Sequence, residues 1–128
     1  MRKPLLLAVG VYALGNAGYI WVATGHWYAT VPGVAATGPL NIHFARDVGL
    51  VFLSSGLALL WAGHRGDRSA ALCGASWLGL HALYHIWIWV ARGVPADLLA
   101  LTNLLGIQLP ALAALWAALA MTRMEPGQ

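Results

Sequence analysis

Four long apolar segments restrict most strongly what this chain can fold into. They lie at residues 4–24, 42–62, 70–91 and 96–121, and each is close to the roughly 20 residues that a helix needs to cross the hydrocarbon core of a bilayer. The strict alternation of apolar and polar residues that is typical of membrane β-strands is absent, so the segments are predicted to be helices. No repeat, low-complexity stretch or domain linker divides the chain. The sequence therefore predicts a single all-α domain over residues 1–128, a bundle of four antiparallel transmembrane helices.

Composition and charge placement give the expected surroundings of this bundle. Hydrophobic residues make up 60% of the chain and charged residues only 9%, whereas a soluble domain carries about 25% charged residues. No basic face outside the membrane is large enough for nucleic acid. The distribution of cations predicts that both termini are cytoplasmic. Five cations fall on the side of the termini and two on the other side: Arg2, Lys3, Arg65, Arg68 and Arg123 against Arg46 and Arg92.

Two pairs of polar side chains lie inside the apolar segments, each with a spacing of four residues. His43 and Asp47 lie in the second segment, and His81 and His85 lie in the third. Residues at this spacing share one face of a helix. A hairpin with its turn near Gly66 would place the two pairs at similar depth, in the periplasmic half of the bilayer. A carboxylate inside the apolar layer costs at least about 2.5–3.5 kcal/mol on insertion scales, so the aspartate needs a partner and the two pairs are expected to meet.

These four side chains are candidate ligands of a transition metal ion. Neutral imidazole is the commonest metal ligand, a carboxylate adds a hard oxygen donor, and helical bundles build metal sites from such pairs on facing helices. The predicted ion is copper, zinc or iron, in a redox or metal-handling protein. Haem b is a second possibility, held by His43 together with His81 or His85. Four further polar residues are expected to orient the ligands and balance charge at this site: Asn16, Arg46, Tyr84 and Asn103.

Two other functions remain open. The histidines could instead form a metal-free hydrogen-bond network, with Asp47 paired to Arg46. This arrangement would suit a non-enzymatic accessory subunit of a larger membrane complex, because almost none of the chain lies outside the bilayer. Alternatively, the same groups could carry out acid–base catalysis on a lipophilic substrate such as a quinone. Expected partners are membrane lipids and either other membrane subunits or further copies of the chain, and the sequence leaves open whether the protein is an enzyme.

Local signals also predict how two of the helices begin or bend. Asn41 is expected to cap the second helix, since its side chain can accept an early backbone N–H. Pro110 lies inside the fourth apolar segment and has no N–H. It should therefore leave the Gly106 carbonyl without its usual donor and kink the helix.

The loop before the second segment carries a resemblance to a known group of proteins. The run WYATVPGVAATGPLNIHFARDVG at residues 27–49, together with HALYH at residues 81–85, resembles small, uncharacterised bacterial four-helix membrane proteins. In that group Trp-Tyr, Pro-Gly-Val, Thr-Gly-Pro and Asn-x-His-Phe-x-Arg-Asp occur in this order. The last of these motifs matches Asn41, His43, Phe44, Arg46 and Asp47. The resemblance implies a location in the bacterial inner membrane and implies no activity.

Overall fold

The computed structural model describes residues 1–121, and all of its regular secondary structure is helical. The long helices are α1 (Arg2–Val22), α3 (Ile42–Arg65) and α4 (Arg68–Ala91), and a shorter helix, α2 (Thr24–Thr30), follows α1. A 3₁₀ turn, Ala35–Thr37, lies in the loop before α3. The last helix consists of α5 (Leu98–Asn103), a π-helical segment (Leu104–Gln108) and α6 (Leu109–Leu119). The all-helical prediction is confirmed, α2 was not predicted, and Arg123 lies outside the described residues.

Three of these helices are long and apolar enough to cross a membrane: Arg2–Val22, Ile42–Arg65 and Leu98–Leu119. α4 has the same length as α3, but its two histidines, one tyrosine and three tryptophans reduce its mean hydropathy. Large apolar side chains are exposed along the long helices and along the last helix, among them Leu57, Leu83 and Leu112. An outer surface of this kind is typical of a protein surrounded by lipid. The structure therefore supports a membrane protein with three candidate spans, and a fourth span in α4 stays a prediction.

The ends of α3 and α4 are fixed by local signals. The Asn41 side chain accepts the Phe44 N–H at 3.0 Å, which confirms the predicted cap of α3. Gly66 ends the same helix in the left-handed conformation, with φ +78°, which glycine adopts at little steric cost. Asp67 then caps α4 by accepting two of its first backbone N–H groups at 2.9 and 3.0 Å. The turn between α3 and α4 is therefore only two residues long.

Glycines let α1 and α3 approach each other closely. A Cβ atom built on Gly10 would lie 3.1 Å from the carbonyl oxygen of Gly56, and a Cβ built on Gly56 would lie 3.0 Å from the carbonyl oxygen of Gly10. Gly49 and Gly63 lie seven residues to either side of Gly56, and they contact Trp21 and the first turns of α1, respectively. We call Gly49, Gly56 and Gly63 the glycine face of α3. Because larger residues would force the backbones apart, this face fixes the rotation of α3 against α1.

The remaining contacts close the helices into a ring. α3 packs on α4, α4 packs on α6, and α6 returns to α1. The buried core is made mainly of alanine, and the largest fully buried side chains are Leu6, Ile20 and Leu59. Where Pro110 follows the π-helical segment, the Tyr12 hydroxyl donates a hydrogen bond to the Gly106 carbonyl at 2.7 Å. The carbonyl that the proline was predicted to free therefore finds its donor on α1.

Candidate functional site

His43 and Asp47 lie together on the outer surface of α3. The distance from His43 Nε2 to Asp47 Oδ2 is 3.4 Å, and the two side chains are 90% and 54% exposed, respectively. Their spacing predicted a shared helix face, and they share one. However, this face points away from the other helices.

The glycine face explains this direction. Each residue of an α-helix advances by about 100°, so Asp47 lies about 160–180° around the axis from Gly49 and Gly56. Since the glycines lie against α1, the carboxylate lies on the opposite, outward side. The structure therefore does not bring His43 and Asp47 to the histidines of α4. Similar depth was the only basis for the expected meeting of the two pairs. The rotation of α3 about its own axis, which the glycine face determines, turns His43 and Asp47 away from α4.

The depth itself agrees with the predicted hairpin. His81 packs near Phe52 of α3, with ring centroids 6.3 Å apart, and the backbone of Gly74 lies against Leu59. A turn near Gly66 requires these neighbours, since each pair is almost equally far from the turn in sequence. The register between α3 and α4 was therefore predicted correctly, although their polar side chains do not converge.

His81 and His85 belong to an aromatic cluster between α3 and α4, which we call the imidazole column: Phe52, Trp77, His81 and His85. The Trp77 ring stacks on His81, with centroids 4.8 Å apart and an interplanar angle of 11°. His85 meets His81 at 4.6 Å and 67°, and Phe52 meets Trp77 edge-on at 4.8 Å. The Nδ1 atom of His85 is buried and has no hydrogen-bond partner within residues 1–121. A buried polar atom without a partner is unfavourable, so this nitrogen is free to bind a ligand.

The four residues expected around the site do not share one centre. Asn16 donates to the Tyr12 carbonyl of its own helix at 2.9 Å. The Arg46 guanidinium lies 5.3 Å from the Trp21 ring centroid, and no ion pair joins it to an acidic group in the described part of the chain. Tyr84 is exposed and stacks on a neighbouring tryptophan, whereas Asn103 is buried. The alternative pairing of Arg46 with Asp47 is likewise not formed.

The predicted set of four metal ligands is consequently divided into two separate pairs. Within residues 1–121, no three His, Cys, Asp or Glu side chains are close enough to hold one metal ion. Each pair can offer at most two ligands, whereas protein zinc sites usually take three or four. The same separation means that His43 does not face His81 or His85 across a space where a haem would lie.

Two groups of interacting side chains were not predicted from the sequence. In the first group, the four-residue spacing of Trp77, His81 and His85 places all three on one face of α4, whereas the contacts of Phe52 with Trp77 and His81 depend on how α3 packs on α4. At the other group, the Tyr19 hydroxyl lies 2.6 Å from His26 Nδ1 and 2.9 Å from Thr30 Oγ1. The signal there was the spacing of His26 and Thr30, which places both on one face of α2.

No protein-family model matches the chain, and the comparisons found no similar curated protein and no similar solved structure. The resemblance to bacterial four-helix membrane proteins therefore stays a prediction, and the geometry of the chain is what bears on its function.

Proposed function

We propose that this chain is a non-enzymatic subunit of a membrane protein complex, and that it docks on another transmembrane helix through the outward face of α3. In this proposal α1, α3, α4 and the last helix cross the bacterial inner membrane as an antiparallel bundle with both termini in the cytoplasm. The observation that carries the proposal is the outward position of Asp47 on a helix with the length and apolarity of a membrane span.

The depth of this carboxylate makes an unpaired position costly. Asp47 lies five residues after the first residue of α3, which corresponds to about 7–8 Å along the helix axis. Acidic residues inside membrane spans almost always face the bundle interior or pair with another polar group. His43 offers only part of such a pairing, because its 3.4 Å separation from Asp47 exceeds the roughly 2.7–2.9 Å of a charge-assisted hydrogen bond. The carboxylate therefore retains acceptor capacity for a donor from another helix.

The rest of the outward face suits a helix partner. Leu50, Ser54 and Leu57 continue the stripe of His43 and Asp47 along α3, and all three are exposed. The stripe is polar at its outer end and mostly apolar below it. A complementary helix would carry an Arg, Lys, Asn or Gln near its outer end and small or apolar residues beneath. Hydrogen bonds between membrane helices contribute about 0.6 kcal/mol on average and up to about 1.7 kcal/mol, so apolar packing must supply the remainder.

Extraction in a gentle detergent tests this proposal. On native electrophoresis the wild-type protein should migrate in a complex heavier than one 13.6 kDa chain with its bound detergent. Asp47→Ala should release it, whereas Leu83→Ala, at an exposed position on α4, should leave the complex intact. Asp47→Asn removes the negative charge but keeps a hydrogen-bond acceptor, so it shows which of the two the partner helix requires. A wild-type chain that is monomeric both in gentle detergent and in native membrane discs would contradict the proposal.

A transition metal at the imidazole column is the second candidate function. It is favoured by the adjacent rings of His81 and His85 and by the buried, unpartnered Nδ1 of His85. An ion of copper, zinc or iron would take two imidazole ligands from α4 and its further ligands from another molecule. Metal analysis and an absorption spectrum, on protein purified without chelator or His-tag, should show a stoichiometric amount of copper, zinc or iron. A His81→Ala/His85→Ala double variant with unchanged metal content would show that the assignment is wrong.

A further inference from the structure

Cations from three helices converge at the turn between α3 and α4. Arg65 is the last residue of α3 and Arg68 is the first residue of α4. Lys3 approaches from α1, with its Cε and Nζ atoms 3.4 Å from the position of a Cβ built on Gly66. The acidic residue of the turn, Asp67, is engaged in capping α4 through Oδ1. We call Lys3, Arg65 and Arg68 the basic turn.

Arg65 and Arg68 of the basic turn border an open concave space of about 1090 Å³, which is lined by Trp61, His64 and residues 65–69. The guanidinium of Arg65 lies 5.3 Å from the centroid of the Trp61 ring, a distance at which a cation is attracted to the ring face. Trp61 is 55% exposed, one turn before the end of α3. An aromatic ring beneath a cation, at the end of an apolar helix, matches the order of groups at a membrane surface, where rings lie below the phosphates.

We propose that the basic turn binds the phosphate group of an anionic phospholipid. Arg65, Arg68 and Lys3 would contact the phosphate, and Trp61 would pack along the glycerol and the upper part of an acyl chain. The proposal rests on the membrane location of the chain and is independent of docking through α3.

Two features favour a lipid phosphate over a free phosphate ion. The concave space lies at the ends of α1 and α3, both of which are candidate spans, so phosphates of the bilayer surface lie at the same level. The exposed Trp61 ring adds an apolar wall, which a free ion would not use. General attraction of basic residues to a membrane does not require this arrangement, since scattered cations would serve equally well. Here Arg65 and Arg68 both line one space, and Lys3 of a third helix lies against the turn that joins them.

Lipid titration followed by native mass spectrometry tests the proposal on the full chain in detergent. The probes are phosphatidylglycerol and phosphatidylcholine with identical acyl chains. Each Lys or Arg near an anionic lipid contributes about a fivefold gain in affinity. The wild-type protein should therefore bind the first phosphatidylglycerol at least roughly 25-fold more tightly than the first phosphatidylcholine. An Arg65→Gln/Arg68→Gln double variant should lose about 25-fold in its affinity for phosphatidylglycerol.

Matched variants distinguish lipid binding at the basic turn from general attraction between cations and lipid. Arg46→Gln removes a cation at the opposite end of α3 and should leave phosphatidylglycerol binding unchanged. Lys3→Gln tests the same site without altering the hairpin, and should lower the affinity for phosphatidylglycerol about fivefold.

Equal binding of the two lipids by the wild type, or a preference retained in both basic-turn variants, would overturn the proposal. Complete competition by millimolar inorganic phosphate would assign the site to a free anion instead. Asp47→Ala should keep the lipid preference, so failure of the docking proposal would be seen separately.

Discussion

Gly56→Ala adds one methyl group where α1 and α3 are closest. The new Cβ would lie 2.9 Å from Leu14 Cδ2 and 3.0 Å from the carbonyl oxygen of Gly10. Leu14 can change its rotamer, but the carbonyl oxygen belongs to the backbone of α1. Carbon–oxygen contacts normally lie at about 3.3–3.6 Å. The two helices must therefore separate by about 0.3–0.6 Å at this point, measured against that distance.

The separation of the helices lowers the free energy of unfolding, whereas the higher helix propensity of alanine raises it. Overpacking costs about 1–3 kcal/mol, and alanine returns about 1 kcal/mol relative to glycine in a helix. Opening the interface also weakens the packing at Gly49 and Gly63, since a gap of about 0.5–1 Å already loses a quarter to a half of the dispersion energy of a contact. We expect a net loss of about 1–2 kcal/mol in the free energy of unfolding. Gly15→Ala, on α1 with no atom within 4 Å of the new Cβ, should be neutral or stabilising.

Titration with SDS from a mild detergent, followed by far-UV circular dichroism, measures both free energies of unfolding. A Gly56→Ala variant as stable as Gly15→Ala would refute the predicted separation of the helices. A Gly10→Ala/Gly56→Ala double variant gives a second check. Once the helices have separated to accommodate one methyl group, the second methyl group requires little further separation. The double variant should therefore lose less free energy of unfolding than the sum of the losses in the two single variants.

Two further predictions concern the connections of the last helix. Tyr12→Phe removes the donor to the Gly106 carbonyl and should lower the free energy of unfolding by about 0.5–1.5 kcal/mol in the same titration. Tyr84→Phe, at a hydroxyl without a hydrogen bond to residues 1–121, should have little effect, and equal losses in the two variants would show that the Tyr12 bond is not stabilising. The pKa of Asp97 is lowered by the hydrogen bond from the Ala100 N–H and by a neighbouring arginine, so its stabilising effect is present above the usual aspartate pKa of about 3.9 and is lost as the pH falls through the lowered pKa. Hydrogen-exchange protection in the first turn of α5 should therefore fall in strong acid in the wild type but not in Asp97→Asn, and parallel behaviour of the two proteins would rule out this role of the carboxylate.

Several parts of the fold could be predicted because one residue type decides them. Asn41 has a side chain that can accept an early N–H, and it caps α3. Gly66 tolerates the left-handed conformation that ends the same helix. Pro110 has no donor to offer, which leaves the Gly106 carbonyl to Tyr12. The identity of that donor was not predictable, since it depends on how α1 packs against the last helix.

The candidate site was predicted less well because it depends on helix rotation. The polar character of Asp47 favours an inward position for this face, whereas the glycine face favours contact with α1. The second effect acts along the whole helix through backbone contacts, and it outweighs the cost of one exposed carboxylate near the end of a span. The spacing of Gly49, Gly56 and Gly63 was present in the sequence. The spacing alone does not say which helix these glycines contact, and the rotation of α3 follows only from their contact with α1.

The two-residue turn between α3 and α4 also bears on the biosynthesis of the proposed bundle. α4 carries two histidines and is not among the three candidate spans, so we expect its own insertion into a bilayer to be the least favourable of the four. The short turn holds the beginning of α4 beside the end of α3, and Gly74 packs against Leu59 within two turns of that point. An α4 that enters next to α3 buries part of its surface on protein instead of lipid. We therefore expect α3 and α4 to leave the translocation channel as one hairpin, so that the orientation of α4 is inherited from α3.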